Sequence, residues 1–143
     1  MIDATTGILT INPDLVLDPT GATGLFLRTA TPTAWEVEQQ SAEWRSFERK
    51  PIRDAAGRKL AARAYLERDR LAQVMLFYYL PDEPEQGSWD DWSYEAEMRR
   101  KDLHDIILRE ELSDPPYEYS WGRVGSGYDD KGGFSLIFVR YES

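Results

Sequence analysis

Residue types that do chemistry are scarce in this chain of 143 residues. Cysteine is absent, which removes a thiolate nucleophile, a disulfide framework and a zinc–cysteine site. One histidine, His104, is too little for a His-rich metal centre or a serine triad. Asp102, His104 and Asp105 form the one cluster containing it. On a helix its imidazole points about 100° away from Leu103, so a metal would need further ligands from elsewhere, and a solvated helix face is the simpler reading. The phosphate-binding motifs fail as well. Gly125-Ser126-Gly127 lacks the third glycine of a dinucleotide fingerprint, and no Gly-Lys-Ser or Gly-Lys-Thr occurs. Asp129-Asp130-Lys131-Gly132 lacks the alternating oxygens and distal Glu of a calcium loop. The 26 acidic residues offer many carboxylate pairs for glycoside hydrolysis, but spacing in sequence does not give separation in space. The expectation is a non-enzymatic chain with no cofactor, no metal and no catalytic residue.

Charge is more informative. Seventeen basic residues against 26 acidic give a net charge of −9, which argues against wrapping nucleic acid or lying on an anionic membrane. The longest apolar run, residues 74–80, is seven long, far below the ~18 of a membrane span. The opening residues have neither a basic start nor an apolar core, so a cytoplasmic location is expected. The charge is unevenly spread. Residues 45–70 hold nine basic and four acidic groups, whereas residues 81–98 hold seven acids and no Lys or Arg. Trp89, Trp92 and Tyr94 are interleaved with those acids. Charge steers encounter and aromatics supply hot spots, so this stretch suits a basic protein partner. Its candidate contacts are Asp82, Glu83, Glu85, Trp89, Asp90, Asp91 and Tyr94. The plainer reading is an acidic helix start, favoured by the macrodipole, with Trp92 turned to the core. For the basic stretch the plainer reading is a wet strand face whose Lys59 and Arg63 discourage stray pairing.

The elements that must position these residues read as α+β. Residues 7–11 and 15–17 look extended, and Asp18-Pro19-Thr20 can start a short N-terminal helical turn. Residues 31–41 read as a surface connection. Residues 44–51 suggest a strand ending before a turn at 54–57. Residues 58–68 then alternate, with Leu60, Ala62, Ala64 and Leu66 on one face and Lys59, Arg63 and Glu67 on the other. Residues 71–80 are apolar on both faces, which predicts a central strand covered on each side and paired antiparallel to the one before. Ser88-x-x-Asp91 fits a capping box and predicts a helix over about 90–112. At 100° per residue its core face would hold Trp92, Ala96, Arg99, Leu103, Ile106 and Ile107. Residues 117–128 and 134–141 then form a hairpin about a Gly-rich turn. The sum is one domain: a mainly antiparallel sheet of about five to six strands packed by one long helix.

Tyr119-Ser120-Trp121-Gly122, Ser126-Gly127-Tyr128-Asp129 and Lys131-Gly132-Gly133, with the closing strand, resemble the end of small bacterial immunity-like proteins of polymorphic-toxin and secretion-effector loci. The opening residues 6–11, Pro19-Thr20, Phe26-Leu27 and the helix are similar too. The resemblance implies a protein that binds and neutralises a cognate toxin. Its motifs mark turns and core aromatics, so no functional residue is carried over. A second reading is a small-molecule site or small enzyme whose aromatic pocket is lined by Tyr65, Tyr78, Tyr79 and Trp121. A third is a homo-oligomeric structural subunit.

Overall fold

A computed structural model describes residues 2–13, 15–19, 36–40, 44–68, 70–81, 83 and 92–142. Among them the chain makes nine strands and one helix: β1 (Leu9–Asn12), β2 (Leu15–Leu17), β3 (Glu36–Gln40), β4 (Trp44–Arg53), β5 (Lys59–Glu67), β6 (Arg70–Tyr78), α1 (Tyr94–Leu112), β7 (Tyr117–Tyr119), β8 (Gly122–Asp129) and β9 (Phe134–Tyr141). Strands β1 and β2 form a small hairpin, and the other seven form one sheet in the order β3-β4-β5-β6-β9-β8-β7. Every pairing is antiparallel.

The period-two reading of β5 fixes the core. Leu60, Ala62, Ala64 and Leu66 are all buried, and they stand opposite Tyr78, Leu76, Val74 and Leu71 of β6. Leu76 and Val74 in turn face Ile137 and Val139 of β9. Helix α1 lies across β8 and β9 and touches β6, adding Ile107 and Leu108 to the same cluster. Leu9, Ile11, Leu15 and Leu17 of the β1–β2 hairpin join it too, so hairpin and helix share one face of the sheet. A fully buried Leu or Ile contributes roughly 1.5–3 kcal/mol, so this single face supplies most of the apolar stabilisation.

Four expectations change. Strand β6 is central but is not buried on both faces: Met75, Phe77 and Tyr79 are half-exposed on the side away from the helix. Residues 36–40, expected in a surface connection, are the edge strand β3. The run 117–128 divides into β7 and β8 at a turn before Gly122, whose φ of 153° and close approach to the Arg140 carbonyl only glycine accommodates. The sheet therefore has seven strands instead of five or six. At the N-terminus the described residues show the hairpin, with Pro19 in a turn, and no helix; Thr20 lies outside them.

The helix starts at Tyr94, capped by Ser93, whose hydroxyl accepts from the Ala96 N–H at 3.0 Å. The capping box read at Ser88 and Asp91 lies outside the described residues. Its buried face is also different from the apolar one expected. Glu97, Arg100, His104, Ile107 and Leu108 are buried, while Ile106 is 54% exposed and Arg99 faces solvent.

Candidate functional site

The polar face of α1 is buried because the two central strands separate above it. Pairing between β6 and β9 runs from Gln73–Arg140 to Leu76–Ile137 and stops there. The next positions on the helix side, Tyr78 and Ser135, are fully buried, and a buried backbone group without a partner costs about 1–3 kcal/mol. The helix supplies the missing partners. The Tyr78 N–H donates to His104 Nε2 at 3.1 Å, and the Ser135 N–H donates to Glu97 Oε1 at 2.9 Å. The Tyr78 carbonyl accepts from the Arg100 guanidinium. Three polar side chains on one helical stripe thus close the split that the sheet leaves open.

Arg100 is the hub. Its Nε donates to Glu97 Oε1 at 3.1 Å and its Nη1 to Glu83 Oε1 at 2.7 Å, with a second contact to the other Glu83 oxygen. Burial opposes its charge, but the bonds to Glu83 and Glu97 outweigh that and raise its pKa further. Glu83 also accepts from the Leu80 N–H at 3.0 Å. Below the split, the Tyr78 hydroxyl donates to Asp54 Oδ2 at 3.0 Å, and Asp54 pairs with Arg58 at 2.9 Å. Burial, and then the Asp54 charge, pushes the Tyr78 phenol pKa far up.

His104 and Ser135 lie within 3.0 Å, the spacing of a nucleophile and its base. The roles are reversed. Because Nε2 accepts from the Tyr78 amide, the neutral ring carries its proton on Nδ1 and donates it to Ser135 Oγ. Burial, followed by the Arg100 charge, lowers the His104 pKa to about 3. This ring therefore cannot take a proton from Ser135, and both side chains are 0% exposed. Asp105 turns to Ser126 and Lys101, and Asp102 is exposed, so the cluster does not converge on a metal. No group of three or more metal-ligating side chains occurs among the described residues.

What the network holds in place is an exposed surface at the start of α1 and the β8–β9 turn. Trp92 is 40% exposed and Tyr94 56%, and Phe134 is 42% exposed. They are three of the four large apolar side chains exposed among the described residues. Trp92 Nε1–H donates to the Gly133 carbonyl at 2.7 Å, tying the helix start to the turn. Tyr94 meets Tyr128 edge to face at 5.7 Å on the helix side, and Phe134, on the opposite face of the sheet, meets Phe77 likewise at 6.1 Å. Such pairs contribute about 0.5–1.5 kcal/mol each and hold the rings ordered before any partner arrives. The carboxylates of Glu95, Asp129 and Asp130 are exposed around them, with Lys131 as the cation in the turn. The Tyr128 phenol pKa is raised by partial desolvation and then by the negative charges of Asp130, Glu97 and Asp129.

Of the seven contacts expected from sequence, Tyr94 stands in this surface. Glu83 is partly exposed and accepts from Arg100 and the Leu80 amide. Asp82, Glu85, Trp89, Asp90 and Asp91 lie outside the described residues. Trp92, expected in the core, is at the surface. Tyr128, Phe134, Asp129 and Asp130 were read only as strand and turn; acids in a turn flanked by aromatics were the available signal. The four residues of the alternative aromatic pocket are not brought together. Tyr78 is in the core facing the helix, Tyr65 and Tyr79 project from the opposite face, and Trp121 stacks on Tyr119 at 5.1 Å beside Gly7.

Among the described residues the fold and site define a class: an antiparallel sheet packed on one face by one long helix and a hairpin, with an aromatic, acidic surface at the helix start. Comparison with protein-family models, with curated proteins and with solved structures gives no match. No helix among the described residues is long and apolar enough to cross a membrane.

Proposed function

We propose that this chain is a non-enzymatic binding protein of the immunity type, which neutralises a cognate bacterial protein toxin by occluding its working surface. The observation that carries this reading is the exposed aromatic group of Trp92 and Tyr94, tied to Gly133 and Tyr128, with Glu95, Asp129 and Asp130 exposed at the same end of the fold. Aromatic anchors ringed by charge are the composition of an interface centre, and the acids suit a cationic partner. The buried network at Arg100 and His104 supports the reading by fixing the helix start, which lowers the ordering cost of association. An inhibitor needs a preorganised complementary surface and neither cofactor nor nucleophile.

The test is affinity purification of the tagged chain from its native host at low and high salt, beside the variant Tyr94→Ala/Asp129→Lys/Asp130→Lys. The expected result is a stoichiometric protein held by the wild type, weakened by salt, and lost from the variant. Equal recovery on both would remove this corner from the interface. Failure of the captured protein to harm cells lacking the chain would remove the immunity role.

A further inference from the structure

The sheet face away from the helix carries a different chemistry. Register places Arg63, Met75, Phe138 and Gly125 in one row across β5, β6, β9 and β8. The next row toward the C-terminal end of β9 holds Tyr65, Gln73, Arg140 and Arg123. Arg123 and Arg140 are directly opposite each other and both exposed. Like charges opposed across a strand pair are destabilising. In a chain with 26 carboxylates, neither arginine has an ion pair among the described residues. Glu118 stands opposite Arg123 on β7 without closing a salt bridge.

Arg140 is also held ready. The Phe138 ring lies so close over Gly125 that a Cβ there would come within 2.6 Å of it, and the Arg140 guanidinium sits 4.7 Å above that ring. A guanidinium stacked on one side keeps its outer plane for another planar group and its edge N–H groups for an anion. Two residues along, Gly127 has open space where a side chain would stand. Rings, cations and a side-chain-free strip on a broad sheet are what a single nucleic-acid strand lies on, with bases stacked and phosphates paired. A duplex would have to take this flat face into a groove, which admits no more than a helix or a two-stranded ribbon.

The geometry points to a second binding surface, centred on Arg123 and Arg140 with Gln73, Tyr65 and Phe138, that takes single-stranded nucleic acid. The net charge of −9 does not forbid it. Arg140 is six residues along β9 from Phe134 at the acidic corner, roughly 20 Å at about 3.3 Å per residue, and charge is screened over about 8 Å at physiological salt. The two surfaces are thus separate, and this one stands or falls without the toxin-binding reading.

The test is fluorescence anisotropy of a labelled thymidine oligonucleotide of about twelve residues with the full chain at about 50 mM salt. Binding is expected, with Arg123→Glu/Arg140→Glu weakening it at least tenfold and flattening the salt slope by one to two contacts. Arg140→Lys keeps the charge and loses the stacked plane, so it should weaken binding severalfold. Three results overturn the proposal: no binding by wild type, binding unchanged in the double variant, or polyglutamate competing as well as unlabelled oligonucleotide. The last would leave a general anion site only. Both side chains are exposed, so circular dichroism of the variants should match wild type.

Discussion

Replacing Arg100 by Met separates two accounts of why α1 is polar where it packs. If the helix merely lies on the sheet, Met is a good helix former of similar length and the cost should be small. If Arg100 closes the split, its loss strands three groups at once: the Tyr78 carbonyl, the buried Glu97 carboxylate and Glu83. The Glu97 side chain is 6% exposed and cannot recover water, whereas Glu83 at 28% can. Removing one partner of a buried pair costs about 3–5 kcal/mol, roughly a fifth or more of the total stability of an ordinary domain. The second variant makes the reasoning sharp. In Arg100→Met/Glu97→Gln, the amide oxygen still accepts from the Ser135 N–H but no charge is left buried. The double variant should therefore be more stable than Arg100→Met alone by at least ~1 kcal/mol. Urea unfolding followed by tryptophan fluorescence measures both, with an unchanged m-value as the control. A loss under ~1 kcal/mol for Arg100→Met, or strictly additive losses, would refute the account.

Other consequences follow from the same geometry. His104 has a pKa of about 3 in the folded chain against about 6.5 unfolded, so the unfolded state binds the extra proton. Stability from this group is complete above pH ~6.5 and is lost as pH falls from there toward 3, by about 2–3 kcal/mol between pH 6.5 and 4.5. His104→Gln, which keeps an acceptor for the Tyr78 amide, should lose that slope; identical pH profiles for the two proteins would count against it. Ser135→Ala leaves the buried Nδ1–H without an acceptor and should cost about 1–3 kcal/mol in the same unfolding assay, with no loss contradicting the assigned tautomer. Gly122→Ala would bring a Cβ to 1.9 Å from the Arg140 carbonyl at a φ of 153°, so β8 and β9 must move apart. A thermal midpoint lowered by several degrees is expected, and an unchanged one would show that this turn is not as tight as described.

Where period and turn chemistry were strong, the residues alone were enough. Alternation in β5, the apolar run of β6 and the glycines between β8 and β9 each led to a strand that is there. The helix was legible as a helix but not in its orientation. Counting apolar side chains selects the face with Ile106, yet the buried face is chosen by backbone groups at Tyr78 and Ser135 that are orphaned only once β6 and β9 diverge. That need belongs to tertiary structure and leaves no local trace. Glu97, Arg100 and His104 then look like ordinary surface residues of an acidic helix. The same network also holds Glu83, read from its charge as a partner contact, on Arg100, a pairing with no trace in the local sequence. Strand β3 was missed because Glu36–Gln40 carries one apolar residue in five and alternates too weakly to read. Tyr94 was singled out from its setting among acids and is exposed at the helix start, but its ring partner Tyr128 lies 34 residues further along, which only the fold brings near.

The most direct test of the central claim is hydrogen–deuterium exchange on the chain alone and in complex with the protein it retains from its native host. Added protection at residues 92–97 and 128–134, with little change across β4 and β5, is the predicted result. Protection confined to other surfaces, or none at the helix start and the β8–β9 turn, would contradict the assignment of this corner as the interface.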